Sequence, residues 1–445
     1  MTNQKQLKDQ VMTKTTEENV LFIRLQFVDI LGTPKNIVIP STRLQDALDN
    51  GIPFDGSSII GYATIEESDK IAKPDPESFV IIPETIEKRK TARLNCDIYE
   101  PDGTRSLADT KYVLEKVMKD TEKRGYIFNS GPECEFFLFK KNGEKTTLIP
   151  NDTAGYFDLS HRDFAEGVRA DISIALGELG IHTHTSHHEV SDGQHEINFE
   201  YADAITTADR VITLKYVTKI IATLHDLHAS FMPKPIFGLN GSGMHTHMSL
   251  FNKKNENAFY NPENKFNLSK TAQYFIAGIL ANIKEITSVL NPTVNSYKRL
   301  VPGHEAPTYI SWANRNRSAL IRIPAGKKQG TRCELRSPDL SGNPYLQFAV
   351  MLASGLDGIK KKTPLPPPVE KNIYALTNKE RKKYEIERLP ESLGHALAFM
   401  RKSELLKQTL GPHIFDNYLH VKHEQWEDYR KQVTPWEINK YLHLL

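Results

Sequence analysis

Cysteine is scarce in this 445-residue sequence, which contains only Cys96, Cys134 and Cys333. An odd number of cysteines at wide spacing argues against a disulfide framework, and the residues lack the paired spacing of a zinc site. No apolar run approaches the roughly 18 residues that a membrane-spanning helix needs. The polar start, MTNQKQLKDQ, lacks the apolar stretch of a secretory signal. We therefore expect a cytoplasmic protein that does not enter a membrane.

A large excess of charge of one sign is also missing, because the formal net charge is only +2. This balance gives no basic footprint for nucleic acid, so no direct nucleic-acid partner is expected. The phosphate-binding motifs G-x-x-x-x-G-K-[ST] and G-x-G-x-x-G after a strand are absent too. The segment LNGSGMH (239–245) is rich in glycine but leads into a predicted strand. We therefore expect that any nucleotide binds on a sheet, where metal ions and arginine side chains hold it. This expectation excludes most kinase and dehydrogenase folds.

Turn signals and hydrophobic periodicity predict an α+β chain in two parts. A small module ends at the turn EPDG (100–103), and we place the domain boundary there, between 1–104 and 105–445. The second part alternates strand pairs with long helices and ends in a helical tail after a proline-rich linker. The long helices are predicted over 163–179, 205–230, 269–289 and 344–361.

Strand segments in the second part carry polar residues on one face and apolar residues on the other. In SGPECEFFLFK (130–140), Glu133 and Glu135 share a face because side chains at i and i+2 point the same way. Cys134, Phe136 and Leu138 are then expected to pack behind them. Two further stripes are His245, His247 and Ser249 in GSGMHTHMSLF (241–251), and Arg332, Glu334 and Arg336 in GTRCELRSPD (330–339).

A fourth polar stripe lies in SHHEVSDGQHEINFEY (186–201), which has the pattern of two strands joined by a turn. A four-residue loop SDGQ would set Glu189 directly opposite Glu196. A three-residue loop would place the two carboxylates on opposite faces. The sequence leaves both registers open.

Each stripe alone also fits a simpler interpretation: a solvent-facing strand edge, packed histidines, or a surface ladder of ion pairs. Taken together, the four stripes favour an interior pocket, because crowded and desolvated carboxylates need a positive charge between them. Oxygen-rich ligands favour Mg²⁺ or Mn²⁺ over zinc, and two such ions suit phosphoryl transfer. The predicted ligands are Glu133, Glu135, Glu189, Glu196, His245 and Glu334.

Arginines gather in the same part of the sequence as the predicted ligands. Guanidinium groups bind carboxylates and phosphates through two parallel hydrogen bonds, so this clustering predicts an anionic substrate. The arginines are Arg299, Arg315, Arg317, Arg322, Arg332 and Arg336.

A set of motifs extends these patterns over nearly the whole chain. They are FDGSS (54–58), PECEFF (132–137), SHHEV and GQHE (186–196), FMPKPIFGLNGSGMH (231–245), NPTVNSYKRLVPGHEAP (291–307) and NRSALIRIPA (316–325). Together they resemble the glutamine synthetase family, and the absence of an insertion in the second half resembles its shorter, alpha-type class I bacterial members. The resemblance implies a small β-grasp-like N-terminal domain followed by a catalytic domain with an antiparallel half-barrel sheet flanked by helices.

The resemblance also implies an activity and an assembly. The activity is ATP-dependent ligation of ammonia to L-glutamate through a γ-glutamyl phosphate, with two or more Mg²⁺ or Mn²⁺ ions in each active site. The assembly is a homododecamer of two stacked six-membered rings, with active sites between neighbouring subunits. A nitrogen-responsive transcription regulator is compatible with this resemblance as a further partner.

The resemblance assigns roles to individual residues. One metal ion has Glu135, Glu189 and Glu196 as ligands, and the second has Glu133, His245 and Glu334. The glutamate-binding set is Asn240, Gly241, Arg299, Glu305, Arg317 and Arg336, and the ATP-binding set is Tyr201, His247, Ser249, Arg317, Arg322 and Arg332. The catalytic set is Arg317, Asp55 from the adjacent subunit, and Glu305 on the flap VPGHEAP. Asp55 and Glu305 attract ammonium and accept its proton.

Some positions depart from the family pattern. Cys134 replaces a usual proline, and His184 stands where related enzymes usually have a glutamate near the nucleotide. Ile60 and Thr64 occupy positions where alpha-type enzymes commonly have Glu and Arg, and that arginine is associated with feedback inhibition by glutamine. Tyr374 resembles the neighbourhood of an adenylylated tyrosine in a longer subclass, but without the insertion of that subclass we do not expect its modification.

Two alternatives to glutamine synthesis stay open from the sequence. One is a paralogue that joins glutamate to another amine, and the other is a non-catalytic relative that serves as a structural or regulator-binding ring. All six predicted ligands and the substrate arginines are present, which counts against lost catalysis.

Overall fold

The computed structural model describes residues 2–64, 68–326 and 328–445. The helices are α1 Thr2–Glu17, α2 Leu44–Asn50, α3 Thr110–Lys123, α4 Glu166–Glu178, α5 Ala204–Leu224, α6 Lys270–Leu290, α7 Ser296–Arg299, α8 Pro344–Lys361, α9 Asn378–Lys383, α10 Leu393–Met400, α11 Glu404–Arg430 and α12 Pro435–Tyr441. The strands are β1 Phe22–Val28, β2 Pro34–Pro40, β3 Ile52–Asp55, β4 Asp69–Pro74, β5 Val80–Ile81, β6 Thr91–Tyr99, β7 Tyr126–Asn142, β8 Lys145–Pro150, β9 Thr183–His188, β10 Gln194–Phe199, β11 Ala202–Asp203, β12 Leu227–Ser230, β13 Thr246–Asn252, β14 Trp312–Asn314, β15 Ile321–Ile323 and β16 Cys333–Leu335.

The first sheet has the order β2-β1-β6-β4-β3, with β5 paired to β6. Its β1 and β6 run parallel, with Leu25 beside Leu94. These two leucines are fully buried, and they belong to a core that also contains Leu44 and Leu48 of α2. Because polar and apolar residues alternate along β1, one face of this sheet packs against α2. The small N-terminal β-grasp fold is confirmed.

The second sheet contains ten strands, and its main path is β14-β15-β16-β13-β7-β10-β9. β7 is the longest strand, with 17 residues, and it also pairs with β8, β11 and β12. The prediction of an antiparallel sheet is confirmed except at one edge, where β14 runs parallel to β15. β7 therefore brings strands from distant parts of the sequence to one place.

The apolar face of the second sheet packs against helices. Cys134, Phe136 and Leu138 of β7 have no solvent-accessible surface, as their alternation with the two glutamates predicts. α6 and α8 cover this core and approach each other closely, since a Cβ at Gly358 would lie 2.1 Å from the carbonyl oxygen of Tyr274. Over the described ranges, no helix combines the length and the apolar character needed to cross a bilayer.

Of the four predicted long helices, those over 163–179, 269–289 and 344–361 correspond to α4, α6 and α8, whereas the one over 205–230 is not a single helix. The helix over 344–361 is confirmed, and its N-cap Asn343 accepts hydrogen bonds from the backbone of Tyr345 and Leu346. The prediction of one helix over 205–230 is wrong. α5 ends at Leu224, the backbone turns at Asp226 with a φ of 55°, and the following residues form β12 on β7.

Candidate active site

The polar face of the second sheet lines a cavity of about 200 Å³. Glu133 and Glu135 extend from β7, Glu196 from β10 and Glu334 from β16, while Glu189 and His245 lie next to β9 and β13. The structure therefore brings all six predicted metal ligands to one cavity. We name it the smaller cavity, and its remaining lining residues are Tyr156, Val190, Gln194, Asn240, Gly241, Arg299, His304, Glu305, Ala306, Arg317, Arg322 and Arg336.

Glu133 has a histidine partner at each of its two carboxylate oxygens. Its Oε2 lies 2.9 Å from His245 Nδ1, and its Oε1 lies 2.9 Å from His247 Nε2. Although burial opposes the effect, the hydrogen bonds from the two histidines hold the pKa of Glu133 below its ordinary value. Glu133, in the middle of β7, is thus not on a solvent-facing edge, because His247 of β13 and His245 just before β13 contact it.

Glu133, His245 and Glu334 form a cluster whose ligand atoms all lie within 4.8 Å of one another. Glu334 is only 1% exposed. Its Oε1 accepts a hydrogen bond from Arg336 Nε at 3.2 Å, and its Oε2 lies 2.5 Å from Arg322 Nη2 without hydrogen-bond geometry. This cluster coincides with the predicted ligands of the second metal ion.

The β9–β10 hairpin has neither of the two registers that the sequence left open. His187 lies opposite Glu196, and the amide of Glu189 donates to the carbonyl of Gln194, so Glu189 does not face Glu196 directly. Compared with the loop SDGQ, the strand pairing is shifted by two residues, and Gly193 turns the chain with a φ of 64°. A shift of two keeps each side chain on its predicted face, so Glu189 and Glu196 still point to the same side.

The second cluster contains a residue that the sequence reasoning missed. His187 joins Glu189 and Glu196, with Nε2 at 3.2 Å from Glu196 Oε1 and Nδ1 at 3.6 Å from Glu189 Oε1. The signal was present, since His187 is two residues before Glu189, at the spacing that places strand side chains on one face. Glu135, the predicted third ligand, lies opposite Glu196 in the ladder, but it is outside this cluster.

Glu135 is instead held by two donors. Its Oε2 accepts from Gln194 Nε2 and from the amide of Gly243, each at 3.0 Å. Gln194 was also missed, although its position two residues before Glu196 places it on the same face. The part of Glu135 in binding a metal ion stays a prediction.

The charge of the smaller cavity fits divalent cations. Burial, together with the negative charges of Glu135 and Glu196, raises the pKa of Glu189 to about 9. Burial likewise raises the pKa of Glu135. Carboxylates crowded in a dry cavity favour the protonated form unless a cation neutralises them. With oxygen atoms as the main donors, the residues present suit Mg²⁺ or Mn²⁺.

Arg299 forms the floor of the smaller cavity and is 2% exposed. Its guanidinium donates to the carbonyls of Ser337 at 2.7 Å and Arg336 at 3.0 Å. Gly243 permits this arrangement, because a Cβ there would lie 2.4 Å from Arg299 Nη2. All six predicted glutamate-binding residues line this cavity: Asn240, Gly241, Arg299, Glu305, Arg317 and Arg336.

A second cavity of about 800 Å³, the larger cavity, adjoins the first, and Glu133 lines both. Four predicted ATP-binding residues line it: Tyr201, His247, Ser249 and Arg332. Arg317 and Arg322 line the smaller cavity instead, whereas Arg315 lines neither. His184, which departs from the family pattern, also lies on the wall of the larger cavity.

His247 connects the wall of the larger cavity to Glu133. Arg332 Nε donates to His247 Nδ1 at 3.2 Å. Because a guanidinium only donates, Nδ1 must be the acceptor, and the ring proton is then on Nε2, which donates to Glu133. The hydrogen-bonded chain Arg332–His247–Glu133 thus runs from one cavity into the other.

Asp55 lines neither cavity of its own chain. Its Oδ1 accepts from the amide of Ser57 at 2.8 Å and from the hydroxyl of Ser57 at 2.7 Å. The side chain is at the end of β3 in the N-terminal sheet and faces solvent. Its predicted role therefore requires a neighbouring subunit.

The fold and the two joined cavities define a metal-dependent enzyme that acts on anionic substrates. A cavity of carboxylates and arginines opens into a larger one of the size that proteins use for cofactors and nucleotides. Residues 107–441 match the family model described as "Glutamine synthetase, catalytic domain", and residues 19–101 match "Glutamine synthetase, beta-Grasp domain". The chain belongs to the glutamine synthetase family.

Individual relatives agree with this assignment over the full length. The glutamine synthetase of Clostridium saccharobutylicum is 52% identical over 440 residues, which cover 98% of this chain and 99% of the relative. The glutamine synthetase of Thermus thermophilus is 50% identical over 440 residues, with 98% of each chain covered.

Solved structures share the fold. The structure described as "GmaS/ADP complex-Conformation 1" matches with a TM-score of 0.89 and 32% identity, covering 97% of this chain and 99% of that one. The Plasmodium falciparum glutamine synthetase matches with a TM-score of 0.87 and 26% identity, covering 99% of both chains.

Proposed function

We propose that the smaller cavity binds L-glutamate with two or more divalent cations, and that the larger cavity binds ATP. The chain catalyses the ATP-dependent synthesis of glutamine from glutamate and ammonia, the activity of its family. The assignment of glutamate to the smaller cavity and ATP to the larger cavity rests on the position of Glu133. This residue lines both cavities and belongs to a cluster that could hold a metal ion. The adenine nucleotide in the related complex supports a nucleotide site in this fold.

The metal ions would be held by two sets of residues. One set is Glu133, His245 and Glu334, and the other is Glu135, Glu189 and Glu196 with His187 beside it. Mg²⁺ or Mn²⁺ bound there would neutralise the charge of the nucleotide phosphates during phosphoryl transfer.

The arginines position the anionic substrate for this transfer. A carboxylate is a poor electrophile, so the γ-carboxylate of glutamate must first become an acyl phosphate. Arg299 and Arg336 are buried and held by carbonyl and carboxylate oxygens, so they present fixed positive charge to glutamate. Arg317, also on the wall of the cavity, stabilises the charge that develops on the transferred phosphoryl group.

Ammonia must be neutral to attack the acyl phosphate. We infer that Asp55 of a neighbouring subunit and Glu305 attract ammonium and accept its proton, as acids in these positions can do. The solvent-facing position of Asp55 on the N-terminal sheet supports an active site between subunits. The proposed assembly is a dodecamer of two stacked hexameric rings.

The remaining assignments follow from this function. We propose a β-grasp-like domain over residues 1–104 and a catalytic domain over residues 105–445, in a cytoplasmic enzyme. The match to the β-grasp family model ends at residue 101, and the match to the catalytic family model begins at residue 107. These limits support a domain boundary between them. A nitrogen-responsive transcription regulator is proposed as a protein partner.

The test measures the products of the purified protein. With ATP, glutamate, ammonium and Mg²⁺, phosphate and glutamine should form in equal amounts, and omission of any one component should stop both. Methylamine and polyamines replace ammonium in parallel assays, because a paralogue for another amine would prefer one of them. Glu178→Gln, at an exposed position, is the control for the same substitution at the predicted metal ligands Glu133 and Glu334. Phosphate release that does not depend on glutamate would contradict the proposal.

A further inference from the structure

Glu305 lies on a segment, residues 301–307, that is fixed at its ends and not in between. At the start, the amide of Val301 donates to the carbonyl of Arg299 at 2.7 Å, and beyond the end the amide of Ile310 donates to Glu387 at 2.8 Å. Pro302 has no N–H, and within the described part of the chain no amide from 303 to 305 donates a well-formed backbone hydrogen bond. Glu305 itself has a φ of 54°, which is uncommon outside glycine. The position of its carboxylate therefore depends on what holds its neighbours.

Tyr374 holds the residue that follows Glu305. Its hydroxyl donates to the carbonyl of Ala306, from a turn 68 residues further along the chain. Ala306 is 2% exposed, whereas Glu305 is exposed, so the contact fixes the buried end of the segment. Burial raises the pKa of the Tyr374 phenol, so the hydroxyl keeps the proton that it donates.

The turn that carries Tyr374 is itself attached to the loop of Arg317. The amide of Ile373 donates to Ser318 Oγ at 3.2 Å. Asn316 Nδ2 donates to the carbonyl of Lys371 at 2.8 Å and to that of Val369 at 3.0 Å. The side chain of Ile373 is fully buried with Tyr309 and Ala319. One tyrosine thus links the two loops that bring Glu305 and Arg317 to the smaller cavity.

We propose that Tyr374 is a positioning residue for the reaction: its hydroxyl holds Ala306, and through it Glu305, where the 301–307 segment covers the smaller cavity. This inference rests on the proposed function, because the species to be covered is the acyl phosphate. Without the hydroxyl, water gains access and adds to the acyl carbon. The carbon–oxygen bond to phosphate breaks, phosphate leaves with the electron pair, the proton passes to solvent, and glutamate is re-formed. ATP is then consumed without glutamine.

Tyr374→Phe tests this role, because it removes the hydroxyl and keeps the ring. Phosphate and glutamine are measured together, and their ratio should rise above one in the variant. The KM for ammonium should rise about two- to tenfold, the effect of one lost hydrogen bond, while the KM for ATP stays unchanged. Tyr384→Phe, at an exposed tyrosine in the same part of the chain, is the matched control.

A purely structural role would lower the melting temperature and leave the product ratio at one. A ratio of one with an unchanged KM for ammonium would overturn the proposal, as would unchanged hydrogen exchange at the amides of residues 303–305. If Tyr374→Phe does not fold, Ser318→Ala, which removes the acceptor for the Ile373 amide, should shift the product ratio in the same direction. A wild-type protein that releases no ammonium-dependent phosphate would contradict the proposed function instead, so the two failures are distinguishable.

Discussion

Glu133 Oε1 accepts a hydrogen bond from His247 Nε2 at 2.9 Å, and this contact joins the wall of the larger cavity to a metal-ligand cluster. The other oxygen of Glu133 lies against His245, so both oxygens have a histidine partner. A divalent cation at the cluster would compete with His245 for Glu133, while His247 could keep its bond. The position of Glu133 is therefore set from the side of the larger cavity.

Glu133→Gln and Glu334→Gln should both nearly abolish glutamine formation, by at least about 100-fold, because each removes an anionic ligand while keeping its shape. They should differ in stability. Glu334 is 1% exposed and faces Arg322 and Arg336, so its loss leaves buried cations without their counter-ion. We expect Glu334→Gln to cost about 3–5 kcal/mol of unfolding free energy and Glu133→Gln much less.

Activity as a function of Mg²⁺ and thermal unfolding in EDTA measure the two effects separately. Glu178→Gln should match the wild type in both assays. Near-wild-type turnover of Glu133→Gln at modest Mg²⁺ would rule out its assignment as a ligand.

Gly243→Ala should weaken the use of glutamate and leave ATP binding unchanged. The added Cβ would lie 2.4 Å from Arg299 Nη2, and Arg299 cannot move easily because it is buried and bonded to carbonyls. We expect the KM for glutamate to rise about ten- to hundredfold. The control is Gly177→Ala, where a Cβ meets nothing within 4 Å. An unchanged KM for glutamate would show that Arg299 does not bind this substrate.

The metal-ligand face could be predicted because strand alternation is a local property. Glu133 and Glu135 share a face in any register of β7, and the same holds for Arg332, Glu334 and Arg336 along their segment. Pairing between strands is not local. The hairpin register depends on Gly193, whose left-handed turn fits against Pro150 and Leu138, residues that are distant in the sequence. For this reason the sequence left the register of this hairpin open and did not identify His187 as the residue opposite Glu196.

Long-range packing also explains the other differences. The apolar residues of Leu227–Ser230 continue the pattern of α5, and only the presence of β7 turns them into a strand. Arg315 was grouped with the substrate arginines by its place in the sequence. The backbone of Arg315 turns with a φ of 75°, and its side chain lines neither cavity.

Mixed assemblies test whether an active site is shared between subunits. Asp55→Ala and Glu196→Ala should each be inactive alone, because one lacks the acid on the N-terminal sheet and the other a ligand of the catalytic sheet. Coexpression should restore partial activity, since some interfaces then combine two intact halves. Native mass spectrometry confirms that the assemblies are mixed. If mixed assemblies form and stay inactive, Asp55 either serves its own subunit or has no catalytic part.

The last prediction concerns inhibition by the product. Thr64 is exposed on the loop that follows Asp55. The family resemblance implies an arginine linked to feedback inhibition at this position. Threonine is too short to reach across a subunit boundary and cannot make two charged hydrogen bonds to a carboxylate. We therefore expect glutamine to inhibit only weakly, by competition at the glutamate site. Inhibition curves at fixed glutamate should shift to lower glutamine concentration in Thr64→Arg.

A neighbouring lysine could supply the missing charge, and the structure separates the two candidates. Lys70 Nζ lies 2.6 Å from Glu100 Oε2, and its side chain is only 7% exposed, so its charge is already paired. Lys73 is exposed, with Nζ 5.5 Å from the centre of the Tyr99 ring. If the wild type is strongly inhibited, Lys73→Gln should relieve that inhibition. Strong inhibition that neither Lys73→Gln nor Thr64→Arg alters would show that control by glutamine does not pass through this loop.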